Sequence, residues 1–352
     1  MRRTGPLACA LALALIQTTT AADTPRLDYR VAYATGRQLA AQLDSAGRDG
    51  YGCVGLARPD PGVVAPGIAV VLGRPTSGSH PPVAHRVVTG GYMGTDLQAS
   101  LDRAGADGFR LCGIVLDESA TPVTLVAVLS QEPGAATAPA HYGIEVLTSY
   151  KASLTRLAAA GREGFVPVAA APVNNNRVPE MRTWLVVTER RDGASPQEIA
   201  VRSGSAPGAL DRALNEQGTL GYHVDLTWQE GADVVAMMSR PAGDAKTPHA
   251  FTAESRSPDS LHFLAGLYLG DFPYLSGGDR LVVSDKSQPA STDVEQDPLP
   301  RPGSLGYADA SALGPIGDHI SRHHGFAPAF VRIRRGGSPG ACVLTTVLSQ
   351  GR

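Results

Sequence analysis

The sequence predicts an α+β protein built from about six tandem β-α-β-β repeats, with helices packed on antiparallel sheets. One motif of leucines, two glycines and an aromatic residue occurs four times, and each copy has one strand-like segment before it and two after it. The second glycines of the motif are Gly50, Gly108, Gly164 and Gly221, so the motif recurs at an almost constant interval. A steady period of this kind is typical of stacked supersecondary units.

The motif is clearest in residues 97–109, LQASLDRAGADGF. Leu97 and Leu101 are one helical turn apart and therefore share a helix face. Gly105 follows the last periodic residue, so we expect this glycine to end the helix in the left-handed conformation. Gly108 then precedes an aromatic residue and a strand. The corresponding residues elsewhere are Leu39, Leu43, Gly47, Gly50 and Tyr51; Leu157, Gly161, Gly164 and Phe165; and Leu210, Leu214, Gly218, Gly221 and Tyr222.

Strands complete each repeat. In the first, Leu27, Tyr29, Val31 and Tyr33 alternate as a half-buried strand requires. After each helix come two further apolar segments: VGLA and IAVVL, LCGIVL and TLVAVL, VPVAAA and TWLVV, and HVDLTW and DVVAMM. Turn-forming residues separate the two segments, and short Pro/Gly/Ala linkers separate the repeats.

The predicted organisation becomes less regular towards the C-terminus. The predicted ranges are a signal peptide 1–22, repeats 23–75, 76–134, 135–192 and 193–245, a divergent fifth repeat 246–286, a polar linker 287–303 and a divergent sixth repeat 304–352. The fifth repeat is expected to contain a helix over 259–269 and a strand over 280–285. The sixth is expected to contain a helix over 310–324 and strands FVRIRR and CVLTTVL. Terminal repeats often diverge because they cap a stack.

A single repeat of about 50 residues buries too little apolar surface to be stable alone, and its sheet has exposed edges. We therefore expect the repeats to associate, either in pairs or in a closed ring. The sequence does not choose between these arrangements.

The N-terminus predicts export. Arg2 and Arg3 precede an apolar segment over 7–16 that is too short to span a bilayer, and small residues end at Ala22. Cleavage there would lower the 31 basic residues of the chain to 29, against 33 acidic ones, a net charge of −4. This balance argues against general affinity for nucleic acid, and no later segment predicts membrane insertion.

Three cysteines would remain after cleavage: Cys53, Cys112 and Cys342. Cys53 and Cys112 occupy neighbouring positions of corresponding strands. They are interpreted either as small buried side chains or as a disulfide, which would require the two strands to be neighbours. No pair has the close spacing of a metal or redox motif.

The repeat resembles a small bacterial family of domains of unknown function with the motif L-x-x-x-L-x-x-x-G-x-x-G-aromatic. Tyr29 and Val31 match the family's first strand, and Tyr51, Phe109, Phe165 and Tyr222 occupy its aromatic position, which is usually Trp. The resemblance covers four repeats well and the last two loosely. It implies a β-α-β-β fold and no particular activity.

Two short motifs match catalytic or nucleotide-binding patterns but have the wrong context. Residues 50–55 fit G-x-G-x-x-G, but a helix precedes them and a strand follows, the reverse of a dinucleotide site. Residues 336–340 fit G-x-S-x-G, but they join two strands, whereas a nucleophile elbow turns from a strand into a helix. We therefore predict no catalytic and no cofactor-binding residues.

Histidines are the other candidates. His319 and His323 are four residues apart on a predicted helix and could share a metal, but a polar helix end that faces solvent is the favoured interpretation and no metal site is predicted. His85, His141 and His249 enter corresponding strands, where they are surface residues or line one rim. Residues 174–176, all Asn, are expected in a turn, and Trp184 and Trp228 are expected in the core.

The sequence thus predicts an exported repeat protein that is non-catalytic and presents a surface to a protein partner or a small ligand. Repeat stacks offer extended faces that suit binding. The alternative is a metal-assisted hydrolase whose site lies in the divergent C-terminal repeats, because function is often found where a repeat breaks its own pattern.

Overall fold

A computed structural model describes residues 27–57, 67–91, 95–117, 123–131, 139–147, 150–173, 183–230, 233–243 and 247–256, and strand segments between 263 and 350. Its first four units each consist of a strand, a helix and two strands, so the predicted α+β fold of repeated units is confirmed. Unit 1 comprises β1 (Leu27–Ala34), α1 (Gly36–Arg48), β2 (Gly52–Ala57) and β3 (Ile68–Pro75). Unit 2 comprises β4 (Ala84–Gly90), α2 (Thr95–Ala106), β5 (Arg110–Asp117) and β6 (Thr124–Gln131).

The next two units repeat the pattern. Unit 3 comprises β7 (Ala140–Leu147), α3 (Tyr150–Arg162), β8 (Val166–Pro172) and β9 (Trp184–Arg191). Unit 4 comprises β10 (Gln197–Gly204), α4 (Pro207–Gly218), β11 (His223–Glu230) and β12 (Asp233–Pro241). No helix in the described ranges is long enough and apolar enough to cross a membrane.

Each sheet is antiparallel, with the last strand of the unit in the middle, as in the order β1-β3-β2. The third element of every unit, called here the inner strand, also carries a β-bulge near its start. The extra residues are Val54, Cys112, Val168 and Asp225 in β2, β5, β8 and β11. A bulge twists the strand locally and changes the direction of a side chain, and this one recurs at the same position in each unit.

The middle strands are buried on both faces because each sheet lies between two neighbours. In β6, Leu125, Ala127 and Leu129 pack in a cluster that includes α2 and β7, whereas Val126 and Val128 pack in the cluster of unit 1. This arrangement explains why the middle strands read as nearly continuous apolar runs rather than alternating ones.

The units follow one another in succession rather than forming separate pairs. Helices α1, α2 and α3 contact β4, β7 and β10, the first strands of the next units. Inner strands β2, β5, β8 and β11 also contact one another in that order. Since each inner strand touches the next, these strands lie on the same side of the stack.

The first glycine of the motif has a different role from the one predicted. Gly105 lies inside α2, not at a left-handed helix end, and the left-handed residue is Gly108, with a φ of 85°. A Cβ on Gly105 would lie 2.1 Å from the carbonyl oxygen of Ala140 in the next unit. The prediction failed because the spacing of one repeat does not reveal how closely the next repeat approaches.

Two further sheets follow. The fifth contains β13 (Phe251–Arg256), β15 (Leu267–Tyr268) and β16 (Arg280–Asp285), and β14 (Phe263–Leu264) pairs with β17 (Ser291–Thr292). The last contains β18 (Val294–Leu299), β19 (Phe326–Arg335) and β20 (Cys342–Gln350). Both three-stranded sheets have the order seen in units 1 to 4, and β19 carries a register shift between Pro328 and Phe330. Strand β19 contacts β2 of unit 1, and α4 contacts β13.

Two predictions for this part of the chain are wrong. A helix was expected over 259–269, but the structure has strands β14 and β15 there. A short apolar run fits the pattern of a helix and that of a strand equally well. Here the strand conformation follows from pairing with β17 and β16. The segment 287–303 was expected to be a linker, but it contains β18. The charged residues and Pro298 of this strand are unusual in strands, so the sequence did not indicate one. Strand β18 is an edge strand, where a proline is tolerated. The helix expected over 310–324 lies outside the described residues.

A disulfide joins the inner strands of units 1 and 2. Cys53 in β2 and Cys112 in β5 are bonded, with their Cα atoms 6.1 Å apart. Of the two interpretations that the sequence left open, the structure therefore selects the bridge, and it satisfies the requirement that these strands be neighbours.

At each junction, one side chain of the next unit packs against the first motif glycine, which lies near the end of the preceding helix. At the first junction this residue is His85, whose Nε2 lies 2.8 Å from the carbonyl oxygen of Tyr51. Its Nδ1 lies 3.3 Å from Oγ of Ser130, which in turn accepts the backbone N–H of Cys53. The corresponding residues at the later junctions are Tyr142, Ile199 and Phe251.

Acid is expected to weaken the first junction. Burial lowers the pKa of His85 below its ordinary value of 6.5, so below about pH 6.5 the unfolded chain binds protons more readily than the folded one. The free energy of unfolding therefore falls as pH falls. Urea unfolding at about pH 7.5 and about pH 5 should show a smaller loss for His85→Gln than for the unmodified protein. His141→Gln, at an exposed strand entry, is the matched control, and an equal change in both variants would contradict this assignment.

Candidate functional site

The charged groups beside the motif's aromatic residue are structural. In unit 1, Arg74 lies over the ring of Tyr51, at 4.4 Å from its centroid, and donates to the carbonyl oxygen of Asp49. The Tyr51 hydroxyl donates to Asp28, which also binds Arg74. Unit 4 repeats the arrangement with Tyr222, Glu198 and Arg240. Since these contacts join residues of the same unit, the groups fix the turn that follows the helix.

The buried phenols predict a loss of stability in alkali. Burial, and then the hydrogen bond to Asp28, raise the pKa of Tyr51 from 10.0 to about 12, and the pKa of Tyr222 is raised for the same reasons. The folded chain therefore retains the Tyr51 proton between about pH 10 and 12, and the free energy of unfolding falls as pH rises through that window. The raised pKa of Tyr222 acts in the same direction. Replacing Tyr51 and Tyr222 with Phe should reduce this loss, measured by urea unfolding at about pH 9 and about pH 11. If the Phe variants lose as much stability between these two pH values as the unmodified protein does, the buried phenols are not the cause of the loss.

A cavity of 580 Å³ lies where the inner strands of units 2, 3 and 4 begin. Its volume is within the range of about 300–1,000 Å³ that is usual for small-molecule sites. Apolar side chains cover part of the wall, and charged and polar side chains cover the rest. The lining residues are Arg110, Leu111, Gly164, Val166, Pro167, Val168, Glu189, Arg191, Ala194, Gln197, His223, Val224 and Asp225.

One wall, here called the arginine wall, consists of Arg110, Glu189 and Arg191. The Glu189 side chain is only 6% exposed, and its Oε1 lies 3.0 Å from Nε of Arg191 and 3.9 Å from Nε of Arg110. Arg191 itself is 65% exposed, so its guanidinium is accessible from solvent. Two guanidinium groups and one carboxylate give this wall a net charge of +1.

A second wall, here called the aspartate wall, comes from unit 4 and consists of His223 and Asp225, with the buried Ser239 behind them. Asp225 is the bulge residue of β11, and its side chain is 10% exposed. Its Oδ1 accepts the Ser239 hydroxyl at 3.1 Å and lies 3.0 Å from Nε2 of His223. With a neutral imidazole this wall carries a charge of −1.

The three side chains of the aspartate wall do not form a catalytic triad. A triad histidine uses one ring nitrogen for the nucleophile and the other for the carboxylate. Here Nε2 of His223 faces both Asp225 and the Ser239 hydroxyl, which is 3.4 Å away, and Ser239 is fully buried. Within the described ranges, no three His, Cys, Asp or Glu residues are grouped so as to hold a metal ion.

None of the charged cavity residues was singled out from the sequence. A signal existed in the comparison of repeats. Glu189 occupies the position that is Gly73, Ser130 and Ser239 in units 1, 2 and 4, because each of these residues pairs with the first residue of its inner strand. Among units 1 to 4, a carboxylate in a row of small residues therefore marks unit 3 as the one that departs from the others.

The candidates that the sequence did single out lie elsewhere. His85 is half-buried in the first junction, His141 is exposed and 3.2 Å from Asp192, and His249 lies beside His223 with ring centroids 6.2 Å apart. Trp184 and Trp228 are fully buried against each other, as expected of core residues. The glycines of residues 50–55 follow a helix and lead into β2, in the order that the sequence indicated. His319, His323, the three asparagines at 174–176 and the G-x-S-x-G segment at 336–340 lie outside the described residues, so the hydrolase alternative stays a prediction.

Comparison with protein-family models found no matching family, and comparison with curated proteins found no match. The resemblance to a bacterial family of β-α-β-β domains therefore stays a prediction. The geometry defines the protein as a stack of repeated α+β units with a polar cavity at the starts of its inner strands.

Proposed function

We propose that this chain is an exported, non-catalytic repeat protein whose six units close into a ring and bind a small ligand in the cavity of units 2 to 4. The observation that carries the ligand site is the cavity itself, because three different units supply side chains of both charges to a single concave space.

Two observations support the ring. Contacts between neighbours run from unit 1 to the fifth sheet, and β19 of the last sheet contacts β2 of the first. The recurring strand order and the bulge in β19 favour six equivalent units. Closure would also remove the exposed ends that an open stack of repeats must cap.

Export is supported by the disulfide and by the N-terminal sequence. Disulfides persist in oxidising compartments and are rare in the cytosol, and Cys53 and Cys112 form one between units. The basic residues, the apolar segment and the small residues up to Ala22 fit a signal peptide. N-terminal sequencing of the protein recovered from its native host should begin at Asp23, and a cytosolic chain starting at Met1 would contradict export.

The ligand site can be tested by methyl NMR of the full chain. We expect at least one compound in a panel of dialanine, glucose, inosine and inorganic phosphate to shift the methyl signals of Val166, Val168 and Val224. The methyls of Val70, in the core of unit 1, should not move. Gln197→Trp, which fills the cavity, should abolish the shifts, whereas Gln38→Trp on the exposed face of α1 should retain them. A panel without any effect at the three cavity valines would overturn the proposed function.

A further inference from the structure

The net charge of the cavity lining differs between the units. The arginine wall, in which Glu189 lies between two arginines, comes from units 2 and 3 and carries a net charge of +1, whereas the aspartate wall comes from unit 4 and carries −1 when His223 is neutral. Apart from Gln197, the other lining residues are aliphatic or small, and they include Leu111, Val166, Pro167 and Val168. The cavity therefore combines groups of both charges with an aliphatic part.

From this distribution, and resting on the proposed function, we infer that the ligand is zwitterionic and that its class is a short peptide with free termini. The ligand's carboxylate would lie against Arg191 and Arg110, and its ammonium group would lie against Asp225. Guanidinium groups suit carboxylates because they donate two parallel hydrogen bonds. The loss of water around a charged group is offset only when an opposite charge meets it, and each wall supplies one.

Other ligand classes fit less well. Among the described residues, no Phe, Tyr or Trp lines the cavity, although the rings of these residues are the usual surfaces for stacking a nucleic-acid base. A simple anion would satisfy the arginine wall alone and leave Asp225 facing it. A dipeptide, by contrast, is short enough for the cavity and carries both charges, one at each end.

The position of both walls depends on departures from the repeat. Glu189 replaces a small residue of the other units and lies between the two arginines, so it holds them at the cavity. Asp225 is directed by the bulge of β11, and at the corresponding bulges units 1 and 3 have valine while unit 2 has the bridged Cys112. Units 1 to 4 thus supply these two carboxylates only at this cavity, through Glu189 of unit 3 and Asp225 of unit 4.

Three matched peptides test the inference by calorimetry on the full chain: Ala-Ala, N-acetyl-Ala-Ala, which lacks the ammonium group, and Ala-Ala amide, which lacks the carboxylate. We expect Ala-Ala to bind at least about tenfold more tightly than either blocked peptide, as a lost charge-assisted hydrogen bond requires. Arg191→Gln should reduce the affinity for Ala-Ala to that for the amide and leave the amide unchanged. Asp225→Asn should reduce the affinity for Ala-Ala to the affinity that the unmodified protein has for N-acetyl-Ala-Ala.

Two variants on the solvent face of α2, Arg103→Gln and Asp96→Asn, are the charge-matched controls and should change none of the three affinities. If the unfolding curve shows that Asp225→Asn does not fold, Arg191→Gln, at an exposed position, still tests where the carboxylate of the ligand binds. Equal affinity of the unmodified protein for all three peptides would overturn the inference. So would an Arg191→Gln variant that loses as much affinity for Ala-Ala amide as for Ala-Ala. If the peptides do not bind but glucose, inosine or phosphate still shifts the cavity methyls, the inference fails and the proposed function stands. If nothing shifts them, the proposed function fails.

Discussion

Replacing Gly218 with alanine is expected to lower the free energy of unfolding by about 3 kcal/mol. The new Cβ would lie 2.3 Å from the carbonyl oxygen of His249, at the entry to the fifth sheet. That backbone is held in place because the N–H of His249 donates to the carbonyl oxygen of Gly218 at 2.9 Å. The unit beyond the helix would have to move away, and the shared core of Leu210, Leu214 and Phe251 would loosen.

Gly208 in the same helix is the matched control. A Cβ there meets nothing within 4 Å, and the residue is exposed. Gly208→Ala should therefore raise the free energy of unfolding, by about 0.5 kcal/mol, because alanine restricts the unfolded chain. Urea denaturation of both variants measures the difference. Opposite shifts of the two midpoints are expected. Equal shifts would mean that the close approach of the units does not constrain Gly218.

Removing the disulfide should destabilise the protein by about 4 kcal/mol, which is the loop-closure term for a bridge of this span. Cys53 and Cys112 are 59 residues apart in sequence, so the bridge restricts most of units 1 and 2 in the unfolded chain. The variant Cys53→Ala with Cys112→Ala should show the lower midpoint in guanidinium chloride.

Reductant supplies the internal control for this measurement. It should lower the midpoint of the unmodified protein to that of the double variant and should not change the double variant further. A double variant as stable as the unmodified protein would mean that the core of unit 1, on which both cysteines pack, carries the junction without the bridge.

The individual unit could be predicted from the sequence because its signals are local. Leu97 and Leu101 define a helix face, a glycine after them indicates a left-handed turn, although the sequence assigned it to Gly105 and the structure has it at Gly108, and the following apolar segments define a hairpin. Such signals depend on the period of the backbone and on the conformational freedom of glycine, and both can be read along the chain. The same signals failed over 259–269 and at β18, where pairing with a distant strand determines the conformation.

The candidate site was not predictable in this way. Arg110, Glu189 and Asp225 belong to three different units and have no common spacing. They line one cavity only because successive inner strands stack and because a bulge directs Asp225 into it. The role of Gly105 was misread for the same reason, since the neighbour that excludes a side chain there is the backbone of another repeat.

The sequence by itself determined the β-α-β-β unit, its four clear copies and their regular interval, because each depends on contacts within a single unit. The tertiary structure decided which of the two interpretations of Cys53 and Cys112 holds, that units stack in succession, and that charges of opposite sign line one cavity. These outcomes depend on the distance between units, which is set by packing across their faces and leaves no periodic signal in the chain.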